Sequence, residues 1–333
     1  MPRIGTNPSR SKTLDYIPAR VTVAVLVYAP HQAGYFQHRL DVTRMTIESI
    51  LVNTHIPFDL LVFDNGSCTE MVDYLQGQFN AGKIDHLILS KHNIGKLNAL
   101  KRIIHSAPGD IVAYTDDDVF YLPGWLQAHL DLIDTFPNVG AVTGFYIKQR
   151  VVMSSEATLR FAEEGAETVR RGQFIPRKWE EEYMDNSGRS EERYQSEIAG
   201  IEDVIVGYKG LEAWVSAHHF QMVTPKSVIL PILEEMLPEG WSNQLMGRMV
   251  EMDDCMDQKG YLRLCTLEQT VMLMGNAISE EIATTAQQYG LSVEKAEVMP
   301  KRSGWFGKLA QNRYMRNLMQ TIINFLYKNM NQS

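Results

Sequence analysis

The chain has 333 residues, 44% hydrophobic and 22% charged, which is enough apolar material for a sizeable core in one large or two modest domains. A formal net charge of -8 leaves no basic excess to neutralise phosphates, which argues against nucleic acid as the main partner. The 3 cysteines form no CxxC pair, so neither a disulfide framework nor a thiolate zinc site is expected, and a reducing, cytoplasmic setting fits.

Residues 1–20 are polar and mildly basic, an N-terminal extension without the apolar stretch of a signal peptide. No window of the chain has the uninterrupted apolar length that spans a bilayer. From Val21, "VTVAVLVYA" is dense in valine and reads as a strand buried on both faces. "DVTRMTIESILVNT" reads as a helix with Asp41 as N-cap and Val42, Met45, Ile50 and Leu51 on one side. Next come a strand, "FDLLVFDNGS", running into an Asn-Gly turn, a helix, "TEMVDYLQGQF", and a strand, "IDHLILS". "NIGKLNALKRIIHSA" places Leu97, Leu100 and Ile104 at helical spacing, and "GDIVAYT" is a fourth strand. "WLQAHLDLIDTFPNVGAVTGFYI" adds a helix and a strand. This alternation predicts a doubly covered α/β sheet, its strands parallel and joined by right-handed crossovers. Ligands of such sheets sit at the carboxyl ends of the strands.

Residues 21–150 therefore read as one ligand-binding half, which the resemblance given below implies to be the nucleotide-sugar-binding half. Residues 151–200 are rich in Glu and Arg and broken by Gly165, Gly172, Pro176 and Gly188; they read as a lid or acceptor-binding insertion, or as a solvated helical excursion. Apolar structure resumes over 201–275, where "EMDDCMDQKGYLRL" reads as a helix stopped at Gly260 and followed by a strand. Residues 276–333 read as a helical C-terminal region. Within it Leu318, Ile322, Phe325 and Leu326 share a face, flanked by Lys308, Arg313, Arg316 and Lys328. That pattern suits peripheral contact with an anionic membrane surface, packing on its own domain, or a homodimer partner.

The chemistry-bearing residues cluster at the expected strand ends. Asp116, Asp117 and Asp118 follow the apolar run "IVAYT". Adjacent carboxylates repel one another unless something positive is near. If the strand continues through them, Asp116 and Asp118 point the same way. Two such oxygen donors suit a hard divalent cation, and a solvated acidic turn is the plain alternative. Asp64, before Asn65-Gly66, reads either as an Asx turn or as an acceptor for a base or ribose. Asn93, Gly95 and Lys96 mark a helix start whose free amides favour a phosphate, although capping alone explains the pattern.

Taken in order, "LVYAP", "LVFDNGS", "HNIGKLNAL", "AYTDDDVFYLPGWL" and, more loosely, "EMDDCMDQKGYLRL" resemble the family 2 glycosyltransferases of the GT-A fold, over roughly residues 20–275. The resemblance implies a Rossmann-like, mostly parallel sheet with a C-terminal acceptor side. It also implies an inverting transfer from a nucleoside diphosphate sugar to a carbohydrate, lipid-linked or small-molecule hydroxyl. By it, Asp64 contacts the base and Val27, Tyr28 and Ala29 line the nucleotide pocket. Asn93, Gly95 and Lys96 lie near the ribose or diphosphate. Asp116 and Asp118 hold Mn2+ or Mg2+, with Asp117 nearer the sugar or ribose. The acceptor's base is sought among Asp254, Asp253 and Glu251, which stand closer to Gly260-Tyr261 than the family spacing; a solvated helix face is the alternative. His218, His219 and Trp214 are placed on the acceptor side, though histidines there are more often satisfied within a strand. Leu273 stands where relatives carry a late metal-binding histidine. A sugar nucleotidyltransferase would instead need a glycine-rich basic loop after the first strand, which "YAPHQAGYFQH" does not supply. A non-catalytic carbohydrate- or nucleotide-binding module remains the third reading.

Overall fold

The computed structural model describes residues 5–246 and 248–293; the amphipathic segment beyond Trp305 lies outside them. Its first half follows the alternating pattern of the sequence: β1 (Val21–Val27), α1 (Arg39–Asn53), β2 (Asp59–Asn65), α2 (Thr69–Asn80), β3 (His86–Ser90), α3 (Lys96–Ser106) and β4 (Ile111–Asp116). Strand order β3-β2-β1-β4 is parallel throughout, as the rhythm of strands and helices requires. Every residue of β1 is buried. Val21, Val23, Val25 and Val27 enter one core and Ala24 and Leu26 the other, which is the two-fold alternation of a strand covered on both faces. Thr22, the polar residue in this run, accepts the Gly109 N–H at 2.9 Å.

The chain continues through β5 (Val119–Tyr121), α4 (Trp125–Thr135), β6 (Val139–Thr143), α5 (Glu156–Glu164), β7 (Thr168–Gly172), α6 (Arg177–Ser187) and α7 (Glu191–Glu197). It then forms β8 (Asp203–Tyr208), β9 (Leu211–Val215), β10 (Gln221–Pro225), α8 (Lys226–Met236), α9 (Met249–Gln258), β11 (Leu262–Thr266), β12 (Val271–Leu273) and α10 (Glu280–Gln288). The whole is a 10-stranded sheet in the order β3-β2-β1-β4-β10-β6-β11-β9-β8-β7, with β12 and β5 forming a separate pair. β10 runs antiparallel between β4 and β6, β11 lies parallel to β6, and β9, β8 and β7 add antiparallel strands.

Residues 151–200 are thus not purely a helical excursion. Their β7 closes one edge of the main sheet, and its Arg170 and Arg171 are exposed, a charged finish that discourages pairing with another chain. The α5 segment is fixed from a distance: Asp257 of α9 accepts the N–H groups of Glu156 (3.0 Å) and Ala157 (2.8 Å), capping the first turn. α1 begins at Arg39 and has His38 as its N-cap position, so Asp41 lies in the first turn, paired with Arg44 at 3.0 Å, and is not the cap. Ion pairs made by Arg39 hold the helix start earlier than its apolar spacing implies.

Candidate functional site

In the strand register Val27 lies beside Asp64 and Leu26 beside Asp116, so the carboxyl ends of β1, β2 and β4 converge. The two loops that leave β1 and β2 are tied together. Ala29 N–H donates to Ser67 Oγ at 2.9 Å, and Cys68 N–H donates to the Ala29 carbonyl at 2.8 Å. This holds Val27, Tyr28 and Ala29 against Asp64. Asp64 itself is buried, and its Oδ2 accepts the N–H groups of Gly66 and Ser67, each at 3.2 Å. Its Oδ1 is buried and has no hydrogen-bond partner among the described residues. Desolvation raises the Asp64 pKa, and the Ser67 and Gly66 donors only partly oppose this. The Asx turn and a buried oxygen without a partner thus coexist on one carboxylate.

The three aspartates do not continue one strand. β4 ends at Asp116, and Asp117 and Asp118 turn the chain into β5, so strand alternation does not set their directions. Two cations from different helices answer their mutual repulsion. Lys96 of α3 donates to Asp116 Oδ2 at 2.6 Å, and the Tyr114 hydroxyl donates to Asp116 Oδ1 at 2.8 Å. Arg39 of α1 reaches Asp117 Oδ1 at 3.2 Å and Asp118 Oδ2 at 3.1 Å, and its other terminal nitrogen donates to Asn276 at 3.1 Å. Burial disfavours the Arg39 charge, but Asp117 and Asp118 more than offset this and hold it protonated. Burial likewise pushes the pKa of both Asp117 and Asp118 upward against the pull of Arg39.

The turn sorts the three carboxylates by access. Asp117 is 7% exposed, is bound by Arg39 and the Thr43 hydroxyl (2.9 Å), and its carbonyl accepts the Thr46 hydroxyl at 2.9 Å. It anchors the turn to α1. The Asp118 side chain is 30% exposed and that of Asp116 25%. Among the described residues no group of at least 3 His, Cys, Asp or Glu is arranged to hold a metal ion, and Leu273 lies in β12 opposite Val119.

The start of α3 is more occupied than its sequence implies. Asn93 Oδ1 accepts the Gly95 N–H at 2.8 Å and the Asn65 amide at 3.1 Å, while Asn65 accepts the Ile94 N–H at 2.9 Å. The Lys96 N–H donates to the Leu245 carbonyl at 2.7 Å, so this amide does not await a phosphate. Asn98 exchanges hydrogen bonds with Ser242 in both directions, fixing the 242–245 segment on the helix. Gly95 has φ +81°, and a Cβ there would stand 2.6 Å from the Gln244 carbonyl oxygen. What α3 offers the site is the Lys96 ammonium.

Across the sheet, the Asp116 N–H donates to the Phe220 carbonyl at 2.8 Å, bringing the segment before β10 to the acidic turn. His219, one residue earlier, bonds through Nδ1 to Asp253 Oδ2 at 2.8 Å. Asp253 is 1% exposed and also meets Arg263 at 2.7 Å and Arg150 at 3.3 Å. Burial works against its charge, but Arg263, His219 and Arg150 together hold its pKa below the usual carboxylate range. Asp254 accepts the Ser154 hydroxyl at 2.5 Å, and Glu251 is an exposed partner of Arg248 at 3.0 Å. His218 is buried, stacks on Phe220 at 3.6 Å and meets the Phe145 carbonyl through Nε2 at 3.0 Å; burial lowers its pKa well below the ordinary value. Trp214 is 4% exposed in a core cluster, its indole N–H donating to the Leu267 carbonyl at 2.9 Å.

Arg39, Arg150 and Arg263 were not singled out in the sequence. Arg263 carries a signal, because it sits between Leu262 and Leu264 in an apolar strand and is fully buried, and a buried charge must be paired. Arg39 carries none, since its partners lie far along the chain.

The adjoining carboxyl ends of this α/β sheet gather a buried acceptor oxygen, an acidic turn and two cations, at the place where ligands of such sheets sit. Residues 36–194 match the family model described as glycosyl transferase family 2. That match spans somewhat under half of the chain and falls within the stretch whose motifs resemble the family 2 glycosyltransferases. The chain is 29% identical over 139 residues to the glucosyl-dolichyl phosphate glucuronosyltransferase of Haloferax volcanii. That match covers 41% of this chain and 41% of the relative, so the chain spans about two fifths of the length of this curated relative. Among solved structures it is similar to S. aureus TarS 1-349 (11% identity, TM-score 0.43, 84% of this chain and 67% of that one). It is also similar to the mannosyltransferase PcManGT from Pyrobaculum calidifontis in complex with GDP-Man and Mn2+ (24% identity, TM-score 0.31, 44% of each chain).

Proposed function

We propose that the chain transfers a sugar from a nucleoside diphosphate sugar to an acceptor hydroxyl, with inversion at the anomeric carbon. The observation that carries this reading is Asp64 Oδ1, a buried acceptor without a partner at the junction of β1 and β2. An unmet buried acceptor is costly, and an N–H of a nucleobase held by the Val27-Tyr28-Ala29 loop would satisfy it. The diphosphate then extends toward the acidic turn, where Lys96 and Arg39 already supply positive charge.

Asp116 and Asp118 fit a hard divalent ion by donor chemistry and by partial exposure. Their engagement with Lys96, Tyr114 and Arg39 fits an ion that takes most of its ligands from diphosphate and water. Asp116 and Asp118 would hold Mn2+ or Mg2+, which would supply charge stabilisation to the departing diphosphate. The acceptor approaches from the opposite side, where Asp253, Asp254 and His219 gather between α9 and the start of β10. The Haloferax relative, named for a dolichyl-phosphate-linked sugar, favours a lipid-linked saccharide as acceptor.

The test is release of nucleotide from a panel of UDP-, GDP- and dTDP-sugars with and without Mn2+, on wild type and Asp118→Ala. Metal-dependent release from one donor class, lost in the variant, is the expected result. Binding of a nucleotide without release from any donor would favour the binding-module reading.

A further inference from the structure

The sequence directs attention to the acidic residues of α9 as the base that activates the acceptor. Their surroundings argue otherwise. Asp253 is enclosed by Arg263, Arg150 and His219, with both oxygens engaged and 1% exposure. A carboxylate so stabilised in its charged form is a poor proton acceptor. Glu251 is exposed on the outer side, beside Arg248. Asp254 is bound to the Ser154 hydroxyl.

His219 is differently placed. Its Nδ1 bonds to Asp253 at 2.8 Å, which fixes the proton on Nδ1 and leaves Nε2 unprotonated in the neutral ring. Nε2 makes no hydrogen bond to another described residue, and the side chain is 19% exposed. The next residue, Phe220, accepts the Asp116 backbone N–H, so the backbone that carries the imidazole is tied to the acidic turn. The charged and titratable groups around it are Asp253 in contact, Arg150 and Arg263 behind that carboxylate, and the neighbouring His218. Arg263 is itself held by the carbonyls of Ser154 and Ala217, so the support beneath the histidine is rigid.

Resting on the transferase reading above, we infer that His219 is the general base for the acceptor hydroxyl and that Asp253 is the residue that positions it. As the acceptor oxygen forms its bond to the anomeric carbon, its proton passes to His219 Nε2. The bond from the anomeric carbon to the diphosphate oxygen breaks, and its electron pair leaves on the diphosphate. The resulting imidazolium is stabilised by the Asp253 carboxylate. In the absence of a known acceptor, water takes the same place, so nucleotide release by hydrolysis reads the same proton transfer.

The experiment uses the full chain with the donor that wild type hydrolyses, following nucleotide release against pH, and nucleotide affinity by calorimetry. His219→Gln is expected to lose about 100-fold in rate, in the range of general-base catalysis, with unchanged nucleotide affinity. His219→Ala is expected to regain activity with added imidazole. Asp253→Asn is expected to lower the rate of nucleotide release with unchanged nucleotide affinity, because the ring loses the acceptor that orients it. A His219→Gln protein with the wild-type rate and pH profile, or a His219→Ala protein indifferent to imidazole, overturns the assignment. No nucleotide release by wild type from any donor overturns the transferase reading, and the base assignment with it.

Discussion

Replacing Arg39 with methionine removes the cation that the acidic turn shares with α1. The Arg39 and Asp117 side chains are 6% and 9% exposed, so the pair is buried. Asp117 retains the Thr43 hydroxyl but loses its counter-ion, and breaking a buried pair on one side costs about 3–5 kcal/mol. The buried carboxylate can escape part of this by taking a proton. Its pKa is already raised by burial, and removal of Arg39 raises it further. A folded-state pKa above the unfolded value means stability is fully present below the unfolded pKa and is lost as pH rises through the folded one. Arg39→Met is therefore expected to lose about 3–5 kcal/mol at pH 7 and clearly less at pH 5, read by urea denaturation at both values. Adding Asp117→Asn is expected to recover part of the loss at pH 7, since the two residues are in contact. A loss under about 1 kcal/mol at pH 7, or an equal loss at both pH values, would refute the view that Arg39 neutralises the turn.

Glu182, half-buried between Gln269 and the Leu273 N–H, has its pKa raised from 4.5 to about 7 by burial. Its contribution to stability is present below pH 4.5 and fades as pH rises through 7, by at most about 3 kcal/mol before solvent screening reduces it. Glu182→Gln is expected to flatten the fall in melting temperature between pH 5 and pH 8, and an unchanged slope would contradict this. Gly95→Ala places a side chain in backbone space open essentially to glycine, with a Cβ 2.6 Å from the Gln244 carbonyl oxygen. A loss of about 1–3 kcal/mol is expected by denaturant titration. Hydrogen exchange is expected to accelerate in the 242–245 segment, and full protection there would contradict the clamp. Arg263→Met strips Asp253 of its closest cation while leaving Arg150 and His219, so a loss of about 3–5 kcal/mol is expected at pH 7. A neutral result would show that Arg150 and the His219 hydrogen bond suffice.

The parallel half of the fold is legible because each of its strands is an apolar run ended by a turn residue or a carboxylate. Asp64 and Asp116 announce themselves as acids at the ends of valine-, leucine- and alanine-rich segments. The antiparallel half is harder to read. β7 is the edge sequence "TVRRG", four of whose five residues are exposed, so it shows no alternation to mark it as a strand. The direction of the acidic residues is also hidden, because it depends on β4 stopping at Asp116, and nothing in "YTDDDVFY" distinguishes a turn from a continued strand. The cation that stabilises the turn is a long-range fact: Arg39 stands 78 and 79 residues from Asp117 and Asp118. Likewise "EMDD" looks like a set of available carboxylates until Arg150 and Arg263 arrive from other elements.

The central claim is that the joined ends of β1, β2 and β4 hold a nucleoside diphosphate, with its base on Asp64. It is tested most directly by calorimetric titration of UDP, GDP and dTDP into wild type, Asp64→Ala and Asp118→Ala, with and without Mn2+. One nucleotide is expected to bind wild type in a metal-strengthened manner. Asp64→Ala should weaken it by about 1–3 kcal/mol regardless of metal, and Asp118→Ala should remove the metal dependence. No binding of any diphosphate to the folded wild type, or binding indifferent to both substitutions, would contradict the account.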